Sequence, residues 1–385
     1  MVKYIEKEYK SILNVLKFID SWYWCRYTLN TYNGCQFGCI YCDSRSEKYH
    51  MPTDFENIII VKKNVKELLD KRLTRARKLL PDVVAISGAN DPYQPAETRY
   101  RNTRQCLEVL AKHKYPVGIG TKSQLVLRDL DLLEKIGKNN WSSVSVTITT
   151  TDSEVAKFLE PRAPPPQERF DIIRTIKEQT THIQAGVSFI PIVPYLCDSD
   201  ENLEAMVQNI KDSGADFILF GSGITMRDLQ ARWFLKHLKE RYPELIEKYE
   251  ELYEFKYNPT AYEGKYTPKA RFFKKNSKKM LDLCVKYDLP YRVKRFIPND
   301  FRRMNYIISE KLLNEAYRLQ MLGKAWSNKH WAGLNIQNLK ESIVNIAKRN
   351  ELQKIRNVTN EIEAFIRENF DDDAEEGATG LLRFL

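Results

Sequence analysis

Short apolar runs and longer amphipathic stretches alternate along the first two-thirds of the chain. The short runs are rich in β-branched and aromatic residues, which predicts strands, and the stretches between them are predicted to be helices. The predicted strands are residues 27–31, 83–87, 117–121, 143–149, 184–190 and 217–220, and the predicted helices are residues 64–79, 103–113, 129–136, 167–179 and 202–212.

This order of elements favours a parallel sheet with right-handed crossover connections. Six consecutive β/α units predict an α/β fold, a partial (β/α)6 TIM-type barrel, with its working residues on loops at the carboxyl ends of the strands. A helical, basic C-terminal extension is predicted to follow, in which residues 229–253 form a helix pair or one helix interrupted near Pro243, and residues 309–369 are almost wholly helical. The predicted domains are residues 1–225 (partial barrel), 226–370 (helical basic region) and 371–385 (an acidic tail, expected to be mobile).

The composition is that of a folded protein. The chain has 385 residues, of which 43% are hydrophobic and 11% aromatic, and this excludes a disordered chain. Its seven cysteines are too few and too scattered for a disulfide scaffold, which indicates a reducing compartment or metal ligation. No apolar run approaches the length of a membrane span, and the N-terminus lacks the apolar stretch of a signal peptide. We therefore expect a soluble, cytoplasmic protein without a membrane partner.

The net charge of +10 is concentrated in one segment, Lys265–Arg303, which contains 13 Lys and Arg against three Asp. Such cations can neutralise phosphates, and aromatic rings among them can stack on unpaired bases, which predicts binding of DNA or RNA. The alternative is a solvated basic face that pairs with acidic helices, its aromatic residues lying in the core. The interleaved aromatic residues are Tyr266, Phe272, Phe273, Tyr287, Tyr291, Phe296 and Phe301.

Three cysteines, Cys35, Cys39 and Cys42, lie within eight residues of one another directly after the first predicted strand. Glycines at positions 34 and 38 permit tight turns, so the three thiolates can wrap one compact metal centre. Soft thiolate ligands select zinc or an iron–sulfur cluster. Structural zinc normally has four protein ligands, for which Cys25 is a candidate, whereas a four-iron cluster held by three cysteines leaves one iron open to another ligand. The three cysteines are alternatively unrelated.

The C-x3-C-x2-C spacing, its place after the first strand and the aromatic residue before the last cysteine resemble the radical S-adenosylmethionine (SAM) superfamily. Further stretches resemble its spore photoproduct lyase-like (DNA repair photolyase-related) branch, and the likeness runs from about Tyr27 to Arg232. These stretches are residues 91–95 (DPYQP), 121–123 (TKS), 127–133 (LRDLDLL), 160–164 (EPRAP), 42–46 (CDSRS) and 226–228 (MRD).

The resemblance implies that Cys35, Cys39 and Cys42 hold a [4Fe–4S] cluster whose fourth iron is chelated by SAM. One electron, from a carrier such as ferredoxin or flavodoxin, would split SAM into methionine and a 5′-deoxyadenosyl radical that abstracts hydrogen from a substrate. The chain departs from spore photoproduct lyase itself at two places. It has Ser87 to Ala89 where that enzyme carries a hydrogen-donating cysteine, and Asp43 where it carries a tyrosine. We therefore do not expect the same thymine-dimer reaction.

Residues at the ends of the second and third predicted strands are candidates for binding SAM. The family commonly places a small-residue segment after the second strand to receive the methionyl amine, and the corresponding residues are Ser87, Gly88 and Asn90. The alternative for these three is an ordinary strand-end turn. Lys122 and Ser123, at the end of the third strand, suit a carboxylate.

Three further residues complete the predicted cofactor site. Thr147 and Thr149 share one face of the fourth strand, where their hydroxyls would meet the ribose, unless they simply fill the strand. Arg162 lies in a proline-stiffened loop, and the resemblance implies a contact with the cofactor, oriented by Glu160, rather than a surface salt bridge.

Three residues are candidates for the catalytic step itself. Asp91 and Tyr93 are expected at the barrel mouth, facing the substrate, and Cys197 follows the fifth strand, where it could donate a hydrogen atom to a product radical. A nucleic-acid base, in a repair or modification reaction, is one predicted substrate. The alternatives are the same radical chemistry on a peptide or small metabolite, and a metal-stapled nucleic-acid-binding protein without catalysis.

Overall fold

The computed structural model describes residues 1–75, 79–86 and 88–376, with side chains as far as residue 370. Two compact units are present. We call residues Met1–Leu16 and Trp22–Lys294 the barrel unit, and Lys17–Ser21 with the chain from Arg295 onward the helical unit. This division falls later in the chain than the expected domain boundary at residue 225. The expected tail, residues 371–385, lies outside the described side chains, and the backbone of the last helix continues to Glu376.

The barrel unit contains two sheets, and the larger one is the predicted barrel. Its strands follow the order β10-β9-β8-β7-β6-β3-β2, in which the six from β3 to β10 are parallel and β2 is antiparallel to β3. A second, smaller sheet has the order β1-β5-β4 and was not predicted. The strands are β1 (Lys3–Lys7), β2 (Asn14–Val15), β3 (Tyr27–Leu29), β4 (Tyr32–Asn33), β5 (Ile58–Lys62), β6 (Val84–Ile86), β7 (Val117–Thr121), β8 (Ser142–Thr147), β9 (Ile183–Ile192) and β10 (Phe217–Ser222).

Helices connect the parallel strands and so confirm the partial (β/α)6 barrel. The predicted interruption near Pro243 is also present, since a 3-10 turn (Pro243–Leu245) separates two helices. The helices of the barrel unit are α1 (Val65–Thr74), α2 (Ala96–Tyr100), α3 (Asn102–Lys112), α4 (Leu130–Asn139), α5 (Ser153–Leu159), α6 (Pro166–Gln179), α7 (Asp200–Asp212), α8 (Asp228–Arg241), α9 (Ile246–Tyr253) and α10 (Ala270–Lys286).

The helical unit has its own apolar core, to which Ile308, Leu312, Ile336, Ile343 and Ile362 contribute. No helix in the described part of the chain is both long and apolar enough to cross a membrane. The helices of this unit are α11 (Arg303–Met321), α12 (Ser327–Ile336), α13 (Ile343–Lys348) and α14 (Asn360–Glu376).

Local sequence signals explain where several barrel helices begin. Asp152 accepts hydrogen bonds from the backbone N–H groups of Glu154 and Val155, which caps α5. Ser199 caps α7 in the same way, and Pro166 occupies the first position of α6, where its missing N–H costs nothing. Each cap places a helix start directly after a loop at the carboxyl edge of the sheet.

The two faces of the parallel strands differ in character. One face is apolar, as at the fully buried Val144 and Val146 of β8, and α4 and α6 contact these strands. The opposite face, toward the barrel interior, carries small or polar residues such as Ser145, which lies in register between Gly120 and Gly186. Barrel interiors are more often filled by bulky branched side chains.

Two tryptophan side chains donate hydrogen bonds to the chain segment 293–294. Trp24 Nε1 donates to the Val293 carbonyl at 2.8 Å, and Trp141 Nε1 donates to the Lys294 carbonyl at 3.0 Å. Trp141 immediately precedes β8, so these contacts close the amino end of the barrel. Barrels of this type place their active sites at the opposite end, at the carboxyl ends of the strands.

Candidate active site

The three clustered cysteines lie on the loop that follows β4, and we call residues 34–46 the cysteine loop. Cys35 and Cys39 are buried, Cys42 is half-buried, and all three are thiols. Gly34 has a φ of +84°, and a Cβ there would lie 2.5 Å from the Ile58 carbonyl oxygen. Only glycine fits this position, which turns the chain so that the thiols follow one another around a tight loop.

Arg45 holds this loop in shape from within. Its guanidinium donates to the carbonyl oxygens of Cys39 and Gly38, each at 3.0 Å, and pairs with Glu56 at 3.0 Å. The ring centroids of Phe55 and Trp233 lie 4.8 and 4.5 Å from the guanidinium carbon. The loop conformation is therefore built by protein contacts as well as by any bound metal.

A buried charge network lies behind Cys39. The Glu160 carboxylate accepts a hydrogen bond from the Tyr41 hydroxyl, forms an ion pair with Arg169, and lies 3.8 Å from Lys122 Nζ. Burial opposes ionisation of Glu160, but the cations Arg169 and Lys122 outweigh it and lower the pKa of this carboxyl. Burial likewise opposes the charge on Lys122, yet Cys39 and Glu160 raise the pKa of its ammonium above the ordinary value. Two cations thus share the Glu160 carboxylate, and Asp91 also lies close enough to raise the pKa of the Lys122 ammonium.

The arginine of this network is not the predicted one. Arg162 is exposed, and its Nη1 donates to the Glu56 carbonyl at 3.3 Å and to Asn57 Oδ1 at 2.9 Å. Arg169 pairs with Glu160 instead, and also donates to the Thr147 carbonyl at 3.1 Å. The expectation that Glu160 orients Arg162 is therefore wrong.

Asp91 is a positioning residue rather than a group at the barrel mouth. Its carboxylate accepts hydrogen bonds from the Tyr93 N–H (2.8 Å), the Thr121 hydroxyl (2.7 Å) and the Lys122 N–H (2.7 Å). These bonds tie the loop after β6 to the end of β7 and fix the backbone of Lys122. Tyr93 is fully buried beside Asp129, so the expectation that Asp91 and Tyr93 face the substrate does not match this structure.

The loop after β6 offers an opening and a buried acceptor. Gly88 has a φ of +128°, and a Cβ built there would meet nothing within 4 Å, so a ligand could approach its backbone. Asn90 donates from its amide nitrogen to the Tyr32 carbonyl at 2.6 Å. Its buried Oδ1 has no hydrogen-bond partner among the described residues. Ser87 lies outside the described residues.

The remaining predicted side chains are dispersed. Ser123 caps the turn after β7, where its hydroxyl accepts from the Leu125 N–H at 3.2 Å. Thr149 donates to Glu160 at 3.4 Å and so belongs to the charge network, whereas Thr147 is half-buried at the end of β8. Cys197 is fully buried, and burial raises the pKa of its thiol. In this structure Cys197 does not line the barrel mouth.

Two sequence motifs that lie far apart in the chain meet beside Cys42. The carboxylate of Asp43 accepts from Arg227 Nη2 at 2.6 Å and from the Tyr49 hydroxyl at 2.8 Å. Ser46 Oγ donates to Asp228 Oδ2 at 2.7 Å. The loop after β10 is thereby fastened to the cysteine loop.

Most cations of the basic segment that precede residue 290 pair with acidic residues, as the alternative interpretation of that segment requires. The pairs are Lys265–Glu254, Lys269–Glu251, Arg271–Glu251, Lys278–Asp282, Lys279–Asp200 and Lys286–Glu204.

The donor set fits an iron–sulfur cluster better than a single ion. Among the described residues, no three His, Cys, Asp or Glu side chains are placed to hold one metal ion together. A four-iron cluster does not need such convergence, because each thiolate binds a different iron. Burial raises the pKa of the Cys39 thiol to about 12, although the nearby Lys122 lowers it, so metal binding would have to supply the stabilisation of the thiolate.

Known proteins are similar to this chain in sequence and in fold. An uncharacterized protein of Mycobacterium tuberculosis (strain ATCC 25618 / H37Rv) is 33% identical over 232 residues, which cover 59% of this chain and 67% of that protein. An uncharacterized protein of Methanocaldococcus jannaschii is 28% identical over 261 residues, covering 68% and 90% of the two chains.

The structure of spore photoproduct lyase complexed with dinucleoside spore photoproduct superposes with a TM-score of 0.54 and 14% identity, covering 74% of this chain and 79% of that one. At that identity the likeness concerns the fold. The model of the Radical SAM superfamily matches residues 29–207, a segment that includes Cys35, Cys39 and Cys42. The chain therefore belongs to the radical SAM superfamily of enzymes.

Proposed function

We propose that this enzyme binds a [4Fe–4S] cluster through Cys35, Cys39 and Cys42 and uses SAM to start a radical reaction on a further substrate. The superfamily implies both cofactors. The observation that carries the proposal is that three thiols lie on one loop and that one of them, Cys39, lies beside Lys122 and Arg169, the two cations that share Glu160. Thiolates and a bound carboxylate would add negative charge next to these cations.

The chain's own residues would bind and orient the cofactors. When bound, the cluster and SAM supply the electron transfer that splits the sulfonium and leaves a 5′-deoxyadenosyl radical. Lys122 would hold the methionyl carboxylate, because its buried ammonium shares Glu160 with Arg169. The buried Oδ1 of Asn90 would accept from the methionyl amine, and the open space at Gly88 would admit it.

We further propose that the substrate is a base of DNA or RNA, which would have to leave the base stack to reach the barrel mouth. Exposed tyrosines at positions 195 and 266 support this proposal, since Tyr195 follows β9 and the Tyr266 carbonyl accepts from the Met226 N–H at 2.9 Å in the loop after β10. The pairing of most cations in Lys265–Arg303 with acidic residues favours the second candidate, a peptide or small metabolite. We also propose a one-electron carrier such as ferredoxin or flavodoxin as partner, and the reducing cytoplasm as the compartment, because all seven cysteines are thiols.

Anaerobic reconstitution with iron and sulfide tests the radical chemistry. We expect four irons per chain, and 5′-deoxyadenosine should form from SAM under strong reductant. Cys39→Ala should abolish cluster assembly and SAM cleavage, whereas the matched variant Cys106→Ala, which alters a buried cysteine on α3, should retain both. A Cys39→Ala protein with full iron content and activity would refute the proposal, as would binding of zinc in place of iron and sulfide.

Deuterium tracing identifies the substrate. With deuterated oligonucleotides, transfer of label into 5′-deoxyadenosine would support a nucleic-acid base. Transfer only from peptides or metabolites would establish the second candidate instead.

A further inference from the structure

An exposed tyrosine stands at the carboxyl edge of the barrel, in the loop between β9 and α7. Tyr195 is 41% exposed and has a φ of +63°, a left-handed conformation that is uncommon for a residue other than glycine. Its backbone N–H donates to Asp198 Oδ1 at 2.6 Å, which holds the loop in this conformation. Strained conformations of this kind persist where the surroundings fix them, and they concentrate at binding and active sites.

Neighbouring rings hold the Tyr195 side chain in place. The ring of Tyr249 lies edge-on at 5.7 Å between centroids, and the ring of Phe272 lies at 6.3 Å. Tyr249 is itself fully buried and donates its hydroxyl to the Pro194 carbonyl at 2.8 Å. We call Tyr195, Tyr249 and Phe272 the tyrosine platform. Since its supports are buried or half-buried, Tyr195 presents a ring whose position is already fixed before anything binds.

Cations without ion pairs gather beside the platform. Lys248 Nζ lies 5.6 Å from the Tyr195 ring centroid. Lys275 lies one helical turn after Phe272, and the amide of the adjacent Asn276 donates to Asp198 Oδ2 at 3.5 Å. Both lysines are exposed, and neither forms an ion pair with any residue that the structure describes. Farther along the same helix, Lys278 pairs with Asp282 at 2.7 Å. The two lysines therefore add cationic groups to a platform whose acidic neighbours are Asp198 and Glu251.

We propose that the tyrosine platform is a binding site for one unpaired nucleotide of a single-stranded nucleic acid. Tyr195 stacks on the base, and Lys248 and Lys275 contact the flanking phosphates. An acidic peptide would satisfy the two lysines but would leave the exposed ring without a flat partner. The inference rests on the proposed function, because it supplies the surface that would bring a base to the barrel mouth.

Fluorescence anisotropy with a labelled 12-mer of oligothymidylate tests the platform, using the full chain reconstituted anaerobically. Tyr195→Asn removes the ring while asparagine tolerates the left-handed backbone, and we expect the Kd to rise by about 5- to 150-fold. Tyr195→Phe should bind as the wild type does. Replacing Lys248 and Lys275 together by alanine should reduce the slope of log K against log salt by about 1.4. The control Lys278→Ala should leave that slope unchanged.

Several results would refute the proposal that the tyrosine platform binds a nucleotide. They are wild-type affinity in Tyr195→Asn, an equal effect of Lys278→Ala and Lys275→Ala on the salt slope, and displacement of the oligonucleotide by an equimolar polyglutamate peptide. The iron content and melting temperature of each variant report whether it has folded. SAM cleavage by the wild type without nucleic acid is measured in parallel. Its absence would refute the proposed radical chemistry, whereas lost oligonucleotide binding with cleavage intact would refute the platform alone.

Discussion

Replacing Glu160 by glutamine is the most informative test of the buried charge network. The change keeps the shape of the side chain and removes its charge. Glu160 is fully buried, forms an ion pair with Arg169, accepts from the Tyr41 hydroxyl and lies 3.8 Å from Lys122 Nζ. A glutamine amide would remove the carboxylate that both cations share, so that Arg169 would lose its ion pair and Lys122 would keep only Asp91 as an acidic neighbour.

The expected cost follows from this burial. Removing one partner of a buried ion pair typically lowers the free energy of unfolding by about 3–5 kcal/mol, since an uncompensated charge stays in the interior. We expect Glu160→Gln to fall in this range, because the Arg169 side chain is only 1% exposed and the Lys122 side chain 14%. Replacing Arg169 by methionine in the same protein should restore part of the loss, as one of the two cations is then gone.

Urea unfolding of the metal-free protein, followed by tryptophan fluorescence under reducing conditions, measures the effect. The chain has two compact units, and only the transition of the barrel unit should shift. The exposed Arg162 serves as the control, and Arg162→Ala should change stability by no more than about 0.5 kcal/mol. A Glu160→Gln protein within about 1 kcal/mol of the wild type would refute the view that the network is buried and electrostatically coupled.

Three other predictions concern single residues. Arg162→Ala should preserve iron content and the Kd for SAM, and a lower iron content or a higher Kd would indicate that this arginine contacts the cofactors. Arg227→Met leaves the Asp43 carboxylate without its cation next to Cys42, so a redox titration followed by EPR should give a more negative cluster potential; an unchanged potential would contradict the argument. Burial lowers the pKa of Lys62 to about 8 from 10.5, so the unfolded state binds more protons between those values and stability should rise with pH there. Lys62→Met should abolish that rise in urea titrations at pH 8 and 10, and an identical rise would disprove the assignment.

The barrel strands could be predicted because each is a short apolar run bounded by turn residues. The prediction for β7 was correct to the residue, and β9 differs from its predicted range by one residue at the start and two at the end. The small sheet escaped prediction for a physical reason. β1 is largely exposed and carries charged residues, and it pairs with β5 more than 50 positions away, so neither composition nor local periodicity marks it as a strand.

Prediction of the site succeeded where the ligands are close in sequence. Three cysteines within eight residues can be recognised directly in the sequence. The role of Arg45 could not be predicted, because it donates to backbone carbonyls, which have no sequence signature. Arg169 did leave a signal. It falls on the buried stripe of α6 together with Ile172, Ile173 and Ile176, and a charged residue on such a stripe needs a buried partner. The partner of Arg169 is Glu160, because the chain turns back through the prolines between them. Sequence spacing alone had favoured Arg162 as the arginine that pairs with Glu160.

The Glu160 carboxylate connects the cysteine loop to the ends of β7 and β8, because Tyr41 and Thr149 donate to it and Lys122 lies beside it. A protein selected for stability alone would gain from an apolar residue at position 122, because each buried charge costs several kcal/mol of desolvation unless it is fully paired. Lys122 shares its carboxylate with Arg169 and lies at the long distance of 3.8 Å from it. Asp91 supplies further negative charge to Lys122, and a bound anion at the ammonium would add to it. Anionic groups that bind here should stabilise the folded protein in proportion to their affinity, so the metal-free enzyme is the less stable form.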